Sequence, residues 1–271
     1  MFDDKTVSSL AHELHAAEKS RIPIRQFSSR FPDMSLEDGY RVGREWVRIK
    51  TQEGQIAKGR KIGLTSRAMQ KVAQITEPDY GVLMDEMFYK NGDQIPFDNF
   101  ITPKVEIEIA FVLNAPLKGP EITINDVLQA TDHIMPCAEI IDSRLERIDS
   151  ETGNMRKIVD TIADNAANAG VVLSGKPINP RDIDLRWQGG IISRNDIIEE
   201  TGLAAGVLGH PANGIAWLAN KLAPWDEQLN AGDIVLGGSF TRPVPARPGD
   251  LFHLDFGLIG TISFQFMNST V

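Results

Sequence analysis

The chain has 271 residues, with 28 Lys and Arg against 37 Asp and Glu, for a formal net charge of −9. That length suits one large domain or a domain with an appendage, and the chain lacks the basic cluster that a nucleic-acid partner requires. No run approaches the roughly 18 apolar residues of a membrane span. The acidic, amphipathic opening MFDDKTVSSLAHELHAAEK does not read as a signal peptide, and the one cysteine, Cys137, excludes an intrachain disulfide and fits a reducing cytoplasm.

In chain order, Val7, Leu10, Leu14 and Ala17 fall at helical intervals and predict a helix over 4–20. Ser35 followed by Asp38 is a capping box that starts a second helix, running to about Thr51 and ended by Gly54. These helices make residues 1–58 a helical N-terminal region. From Gly59 the character changes, and 59–271 reads as a second, β-rich domain. RKIGL predicts a strand. SRAMQKVAQI predicts a short helix capped by Thr65 or Ser66, and 77–97 reads as loop and turn around Asn91-Gly92-Asp93. A strand over 104–113, a helix from about Thr123 and an apolar run from Ile134 to Ile141 follow. Short strands come next (AGVVLSG, LRWQGGIISRN, DIVLGGSF, LFHLDFG, GTISFQF), interrupted by the helix NGIAWLANKLA. Many short strands with few helices between them argue against a doubly wound fold. They predict an α+β chain with a mixed, mostly antiparallel rolled sheet and helices outside.

The strand KVEIEIAFVL carries the chemistry. Alternation puts Val105, Ile107, Ile109 and Phe111 on one face and Glu106, Glu108, Ala110 and Val112 on the other. Two carboxylates beside a core edge repel unless compensated. A hard divalent cation with oxygen ligands is one answer, and a solvated sheet face is the other. Glu139, within IMPCAEIID, is costly to bury unpaired, so it calls either for a metal or for an ion pair with Arg144 or Arg147. Together the three glutamates form an E-x-E…E set that would leave about half of an octahedral Mg²⁺ shell open. Lys61 is either an inward lysine beside a metal-bound anion or an ordinary surface one. Asp160, Asp164 and Asn165, in DTIADNAANAG, can hold a turn or touch substrate. VLGGSFT offers a close backbone approach to a small anion. Cys137 reads as a buried thiol. His12 and His15, in HELH, are one residue short of the zinc pattern HExxH and read as a solvated helix face.

The segments GRKIGLTSRAMQ, ITEPDYGVLMDEMF, KVEIEIAFVL, CAEIIDSR, DTIADNAANAG and GGSFTRPVPARPGD resemble, in that order, the hydratase/decarboxylase branch of the fumarylacetoacetate hydrolase superfamily. The resemblance implies a β-roll core, a large homo-oligomer, and Mg²⁺ or Mn²⁺ on Glu106, Glu108 and Glu139. It places Lys61 and Asp79 in the catalytic segments and Ser239 and Thr241 in a late substrate-binding turn. The activity it implies is hydration of an unsaturated 2-oxo diacid in aromatic catabolism. Decarboxylation of a related diacid, C–C bond hydrolysis, and a non-catalytic assembly protein with a solvated acidic strand stay open. Arg60, Arg67, Arg144 and Arg156 are equal candidates for the substrate's far carboxylate.

Overall fold

The computed structural model describes residues 1–72 and 75–268. The N-terminal region holds α1 (Asp4–Ser20), α2 (Phe27–Arg30) and α3 (Leu36–Gln52). The Ser35 side chain accepts from the Asp38 N–H while the Asp38 carboxylate accepts from the Ser35 N–H, so the capping box forms as read. Then come β1 (Ala57–Gly63), α4 (Arg67–Val72), β2 (Asp79–Met84), β3 (Phe88–Lys90), β4 (Gln94–Pro96), β5 (Lys104–Leu113), α5 (Ile124–Ala130) and β6 (Thr131–Ile141). The chain continues through α6 (Ile158–Ala163), β7 (Asn168–Leu173), β8 (Gly189–Arg194), β9 (Ile197–Leu203), α7 (Pro211–Leu222), β10 (Ile234–Leu236), β11 (Val244–Pro245), β12 (Leu251–Asp255) and β13 (Thr261–Met267).

The strands form two open sheets. One runs β2-β1-β10-β5-β6-β7-β3, with β11 also paired to β5, and the other runs β4-β13-β12-β8-β9. Pairing is antiparallel except for β1 with β10, β4 with β13 and β3 with β7, which gives the mixed, mostly antiparallel α+β architecture expected. The main core lies between the sheets. Ile107, Ile109 and Phe111 of β5 meet Ile192 of β8, Phe252 of β12 and Phe264 of β13, with α7 packed alongside. The first face of KVEIEIAFVL therefore points into this core, and its glutamates point away from it. A second cluster joins Leu10, Leu14, Val42 and Trp46 to Met84, Met87, Leu145 and Val159. The N-terminal helices thus share an apolar core with residues from the β-rich part.

Two local expectations need correction, and one strand has no counterpart in the sequence reading. Residues 77–97 are not loop. Asp79–Met84 is a buried strand and two three-residue strands follow, edge pieces too short to show a period. Residues 197–203 form β9, whose exposed face and paired glutamates Glu199 and Glu200 hide its strand character; Asn195 and Asp196, both at positive φ, make the hairpin turn. His15 is buried rather than solvated, with Nε2 2.9 Å from Glu53 Oε1, whereas His12 is exposed. For α4, the Ser66 hydroxyl caps by accepting from the Met69 N–H, and Ala73 and Gln74 of the predicted helix lie outside the described residues.

The turn between α6 and β7 depends on a buried ion pair. Asn165, Ala166 and Ala167 all have positive φ, a conformation that costs L-residues roughly 1–2 kcal/mol each. Arg144 holds the turn in place. Its Nε donates to Asp164 Oδ1 at 2.5 Å, and its Nη groups donate to the Asp164 and Asn168 carbonyls. Asp164→Ala would leave a buried guanidinium unpaired and should lower the unfolding free energy by about 3–5 kcal/mol in urea titration. An unchanged midpoint would contradict this role.

Candidate metal centre

The pairing of β5 with β6 sets Glu106 directly opposite Glu139, and Glu108 opposite Cys137, on the sheet face turned away from the main core. One carboxylate oxygen from each of Glu106, Glu108 and Glu139 lies within 4.8 Å of the others. Glu108 and Glu139 are buried. The floor beside them is apolar, built by Leu83, Ala110, Cys137, Val171 and Leu236 from five strands of the same sheet. Burial first, and then the charges of Glu139 and Glu106, push Glu108 well above the usual carboxylate range. Burial and the Glu139 charge push Glu106 up to about 8. Burial also raises the Cys137 thiol, which is inert packing, as its sequence context suggested.

Few partners relieve this repulsion. Lys61 Nζ lies 3.2 Å from Glu139 Oε1. Asn168 Nδ2 donates to the same oxygen at 2.9 Å, and the Gly238 N–H donates to Glu108 Oε2 at 2.9 Å. Glu139 Oε2 is buried with no hydrogen-bond partner among the described residues. An all-oxygen set of three carboxylates, two buried and one half-buried, with an orphaned oxygen suits a hard divalent cation such as Mg²⁺ or Mn²⁺. Glu139 does take an ion pair, but with Lys61 on β1 rather than with Arg144 or Arg147.

Lys61 and Asp79 meet across β1 and β2. Asp79 pairs with Gly63 and Gly81 with Lys61, so the two side chains share a face diagonally. Gly63 leaves the slot they fill. A Cβ there would fall 2.2 Å from Asp79 Oδ1 and 3.4 Å from Lys61 Nζ. Both residues are buried, and neither Asp79 oxygen has a hydrogen-bond partner among the described residues. Burial raises the Asp79 pKa, with Lys61 opposing and Glu139 adding to the rise. Burial works to deprotonate Lys61, but the charges of Glu139, Asp79, Glu106 and Glu108 prevail and raise its pKa.

The other expected contacts are placed differently. Asn165 is clamped to β2, its Oδ1 accepting from the Val82 N–H and its Nδ2 donating to the Val82 carbonyl, so its amide is engaged in fold rather than in the acidic group. Asn168, three residues on, reaches Glu139 instead. The sequence flagged the segment but gave no way to count through three successive left-handed residues. The Gly237-Gly238 approach exists, but the anion it serves is the protein's own Glu108. Position 238 has to be glycine, because a Cβ there would lie 2.5 Å from Thr65. Ser239 Oγ donates to the Thr241 carbonyl, and Thr241 Oγ1 is buried with no partner among the described residues.

Two outcomes follow from this geometry. A group whose folded pKa is raised binds more protons folded than unfolded, so in chelated protein the cluster should lose stability as pH rises from the ordinary 4.5 of Glu106 towards about 8. Differential scanning calorimetry of Glu106→Gln against the parent should show the parent's Tm falling more steeply with pH, and Mn²⁺ should abolish the difference. A parent slope no steeper than that of Glu106→Gln would refute the clustering. Asn168→Ala, which removes an outer partner of Glu139, should weaken Mn²⁺ binding by roughly 10–100-fold in calorimetric titration. An unchanged affinity would remove it from the site.

No protein-family model matches the chain. It is 58% identical over 267 residues to the 2-oxo-hept-4-ene-1,7-dioate hydratase of Escherichia coli, covering 98% of this chain and 100% of that one. It is 35% identical to the 2-hydroxyhexa-2,4-dienoate hydratase of Comamonas testosteroni, over 98% and 99% of the two chains. The solved structure of 4-oxalocrotonate decarboxylase from Pseudomonas putida G7, complexed with magnesium and adipate, superimposes with a TM-score of 0.93 at 33% identity, covering 98% of this chain and 99% of that one. With full-length identity of this order to enzymes of one kind, and one fold shared with them, the chain belongs to the hydratase/decarboxylase family of the fumarylacetoacetate hydrolase superfamily.

Proposed function

We propose that this chain is a divalent-metal-dependent hydro-lyase that adds water to an unsaturated seven-carbon 2-oxo diacid, giving 4-hydroxy-2-oxoheptanedioate in aromatic catabolism. The observation that carries the reading is the placement of a proton-bearing pair, Lys61 and Asp79, on the same sheet face as three converging carboxylates. The similarity to a 2-oxo-hept-4-ene-1,7-dioate hydratase supports the choice of substrate.

Glu106, Glu108 and Glu139 would hold the cation, which supplies Lewis acidity at the oxygen of a 2-oxo group. Proton movement falls to the chain's own residues. A double bond at C4 is not conjugated to the carbonyl. Removing a C3 proton and delivering one to C5 brings it to C3–C4. Water oxygen then bonds to C4, one water proton leaves to a base, and C3 gains a proton, so the net change is one added water. Asp79, raised by burial, holds a proton more readily than an ordinary carboxylate, the direction general acid–base work needs. Lys61, kept cationic by its carboxylate neighbours, orients the reacting oxygen atoms and donates to them. Ser239 and Thr241 complete the substrate end of the site. We place the enzyme in the cytoplasm as a homo-oligomer using Mg²⁺ or Mn²⁺. Among the described residues no helix is long and apolar enough to cross a membrane.

A second reading, decarboxylation of a six-carbon 2-oxo diacid, is favoured by the likeness to the decarboxylase structure. Incubating unsaturated 2-oxo acids of five, six and seven carbons with Mg²⁺ separates the two. Hydration yields a hydroxylated product with no CO₂, strongest on the seven-carbon diacid, and ends on chelation. Release of CO₂ from the six-carbon diacid as the main reaction would replace the first reading with the second. Asp79→Asn should lower kcat by roughly 10²–10⁴-fold while Mn²⁺ still binds. Near-normal turnover would eliminate Asp79 from proton transfer.

A further inference from the structure

Of the four arginines left open by the sequence, three are accounted for. Arg60 pairs with Glu227 at 2.8 Å, Arg144 is locked on Asp164, and Arg67 is exposed on α4. Arg156 remains, and it has company. Lys104 opens β5 two residues before Glu106, so alternation sets Lys104, Glu106 and Glu108 along one face. The Arg147 Nη2 donates to the Thr102 carbonyl at 3.2 Å, just ahead of Lys104, and its Nε is buried with no partner among the described residues. The Arg156 Nη1 donates to Ser143 Oγ at 2.6 Å, just past the end of β6. All three are partly buried at the same end of the β5–β6 pair, and none of them forms an ion pair among the described residues.

The carboxylates close by are engaged elsewhere. Asp142 accepts from the Ile101, Thr102 and Ser143 amides, and Asp164 from Arg144. Arg147 and Arg156 lie near enough to Lys104 for their positive charges to act on it. The negative charge of Glu106 reaches Arg147, and that of Asp79 reaches Arg156, so the group flanks both the metal ligands and the proton-transfer pair. Three half-buried cations gathered at one end of the strand pair, none in an ion pair among the described residues, make a receptor for an anion. Lys104 sits one strand repeat from Glu106, roughly 6.5–7 Å. That separation suits the two carboxylates of a single chain-like diacid.

We propose that Lys104, Arg147 and Arg156 form the subsite that binds the carboxylate at the far end of the substrate and so selects diacids over monoacids. This rests on the reading of the acidic cluster as the anchor for a 2-oxo acid. Its test uses ligands that cannot react. Equilibrium binding to the Mn²⁺-loaded protein is measured for saturated 2-oxoheptanedioate and for 2-oxoheptanoate, which lacks only the far carboxylate. The parent protein should prefer the diacid by roughly 10–100-fold, the range for a hydrogen bond to a charged group. Arg147→Met and Arg156→Met should bring the ratio towards one, and Arg147→Lys and Arg156→Lys should restore part of it. Lys104→Met, whose ammonium has no ion-pair or hydrogen-bond partner among the described residues, carries the test if an arginine variant fails to fold. A parent that does not discriminate, or folded variants that keep the full ratio, overturns the subsite. A parent that discriminates through these residues yet hydrates neither unsaturated acid upholds the subsite and overturns only the proposed reaction.

Discussion

Two carboxylates stand directly opposite one another on neighbouring antiparallel strands, with a third one strand repeat away, on a largely buried sheet face. Like charges so placed destabilise a sheet, and burial makes the repulsion stronger. A fold keeps such an arrangement only if something else neutralises it. Among the described residues, one lysine, one side-chain amide and one backbone amide approach the group, which leaves negative charge in excess and one buried oxygen without a partner. The surrounding architecture follows from this constraint. The opposite face of β5 is sealed into the main core, so the strand cannot slip its register to relieve the charges.

The same sheet carries every element that reaches the cluster. β1 brings Lys61, β2 brings Asp79, β7 brings Asn168, and the chain beyond β10 brings the Gly238 amide. Sites borne on paired strands are positioned more tightly than sites borne on loops, and here the supporting groups are themselves restrained. Gly63 and Gly238 open the space for neighbouring side chains, and the Arg144–Asp164 pair fixes the turn that aims Asn168. The apolar floor under the carboxylates keeps water from diluting their field. Electrostatics near Asp79 and Lys61 therefore act at short range in a poorly screened setting.

Local rules made much of this legible. Both sequence-predicted helix starts at Ser35 and Thr123 are capping boxes in the fold, and the alternation in KVEIEIAFVL sorted its glutamates from its core residues. The small-residue run DTIADNAANAG marked the segment, but that Asn165 clamps Val82 while Asn168 reaches Glu139 was not legible, because consecutive positive-φ residues have no sequence signal outside glycine. What could not be read was long-range pairing. That Glu106 faces Glu139, that Lys61 lies diagonal to Asp79, and that Arg144 belongs to Asp164 are facts of register between distant segments. Strands of three residues, such as Phe88–Lys90 and Gln94–Pro96, exist only because a neighbour supplies their hydrogen bonds.

The central claim is that the three glutamates converge because one divalent ion belongs between them. Crystals soaked in Mn²⁺ and measured at a wavelength where manganese scatters anomalously would test it most directly. A single anomalous peak bonded to one oxygen each of Glu106, Glu108 and Glu139 is the predicted result. A map with no peak there, or with Lys61 moved into the centre of the three carboxylates in its place, would contradict the account.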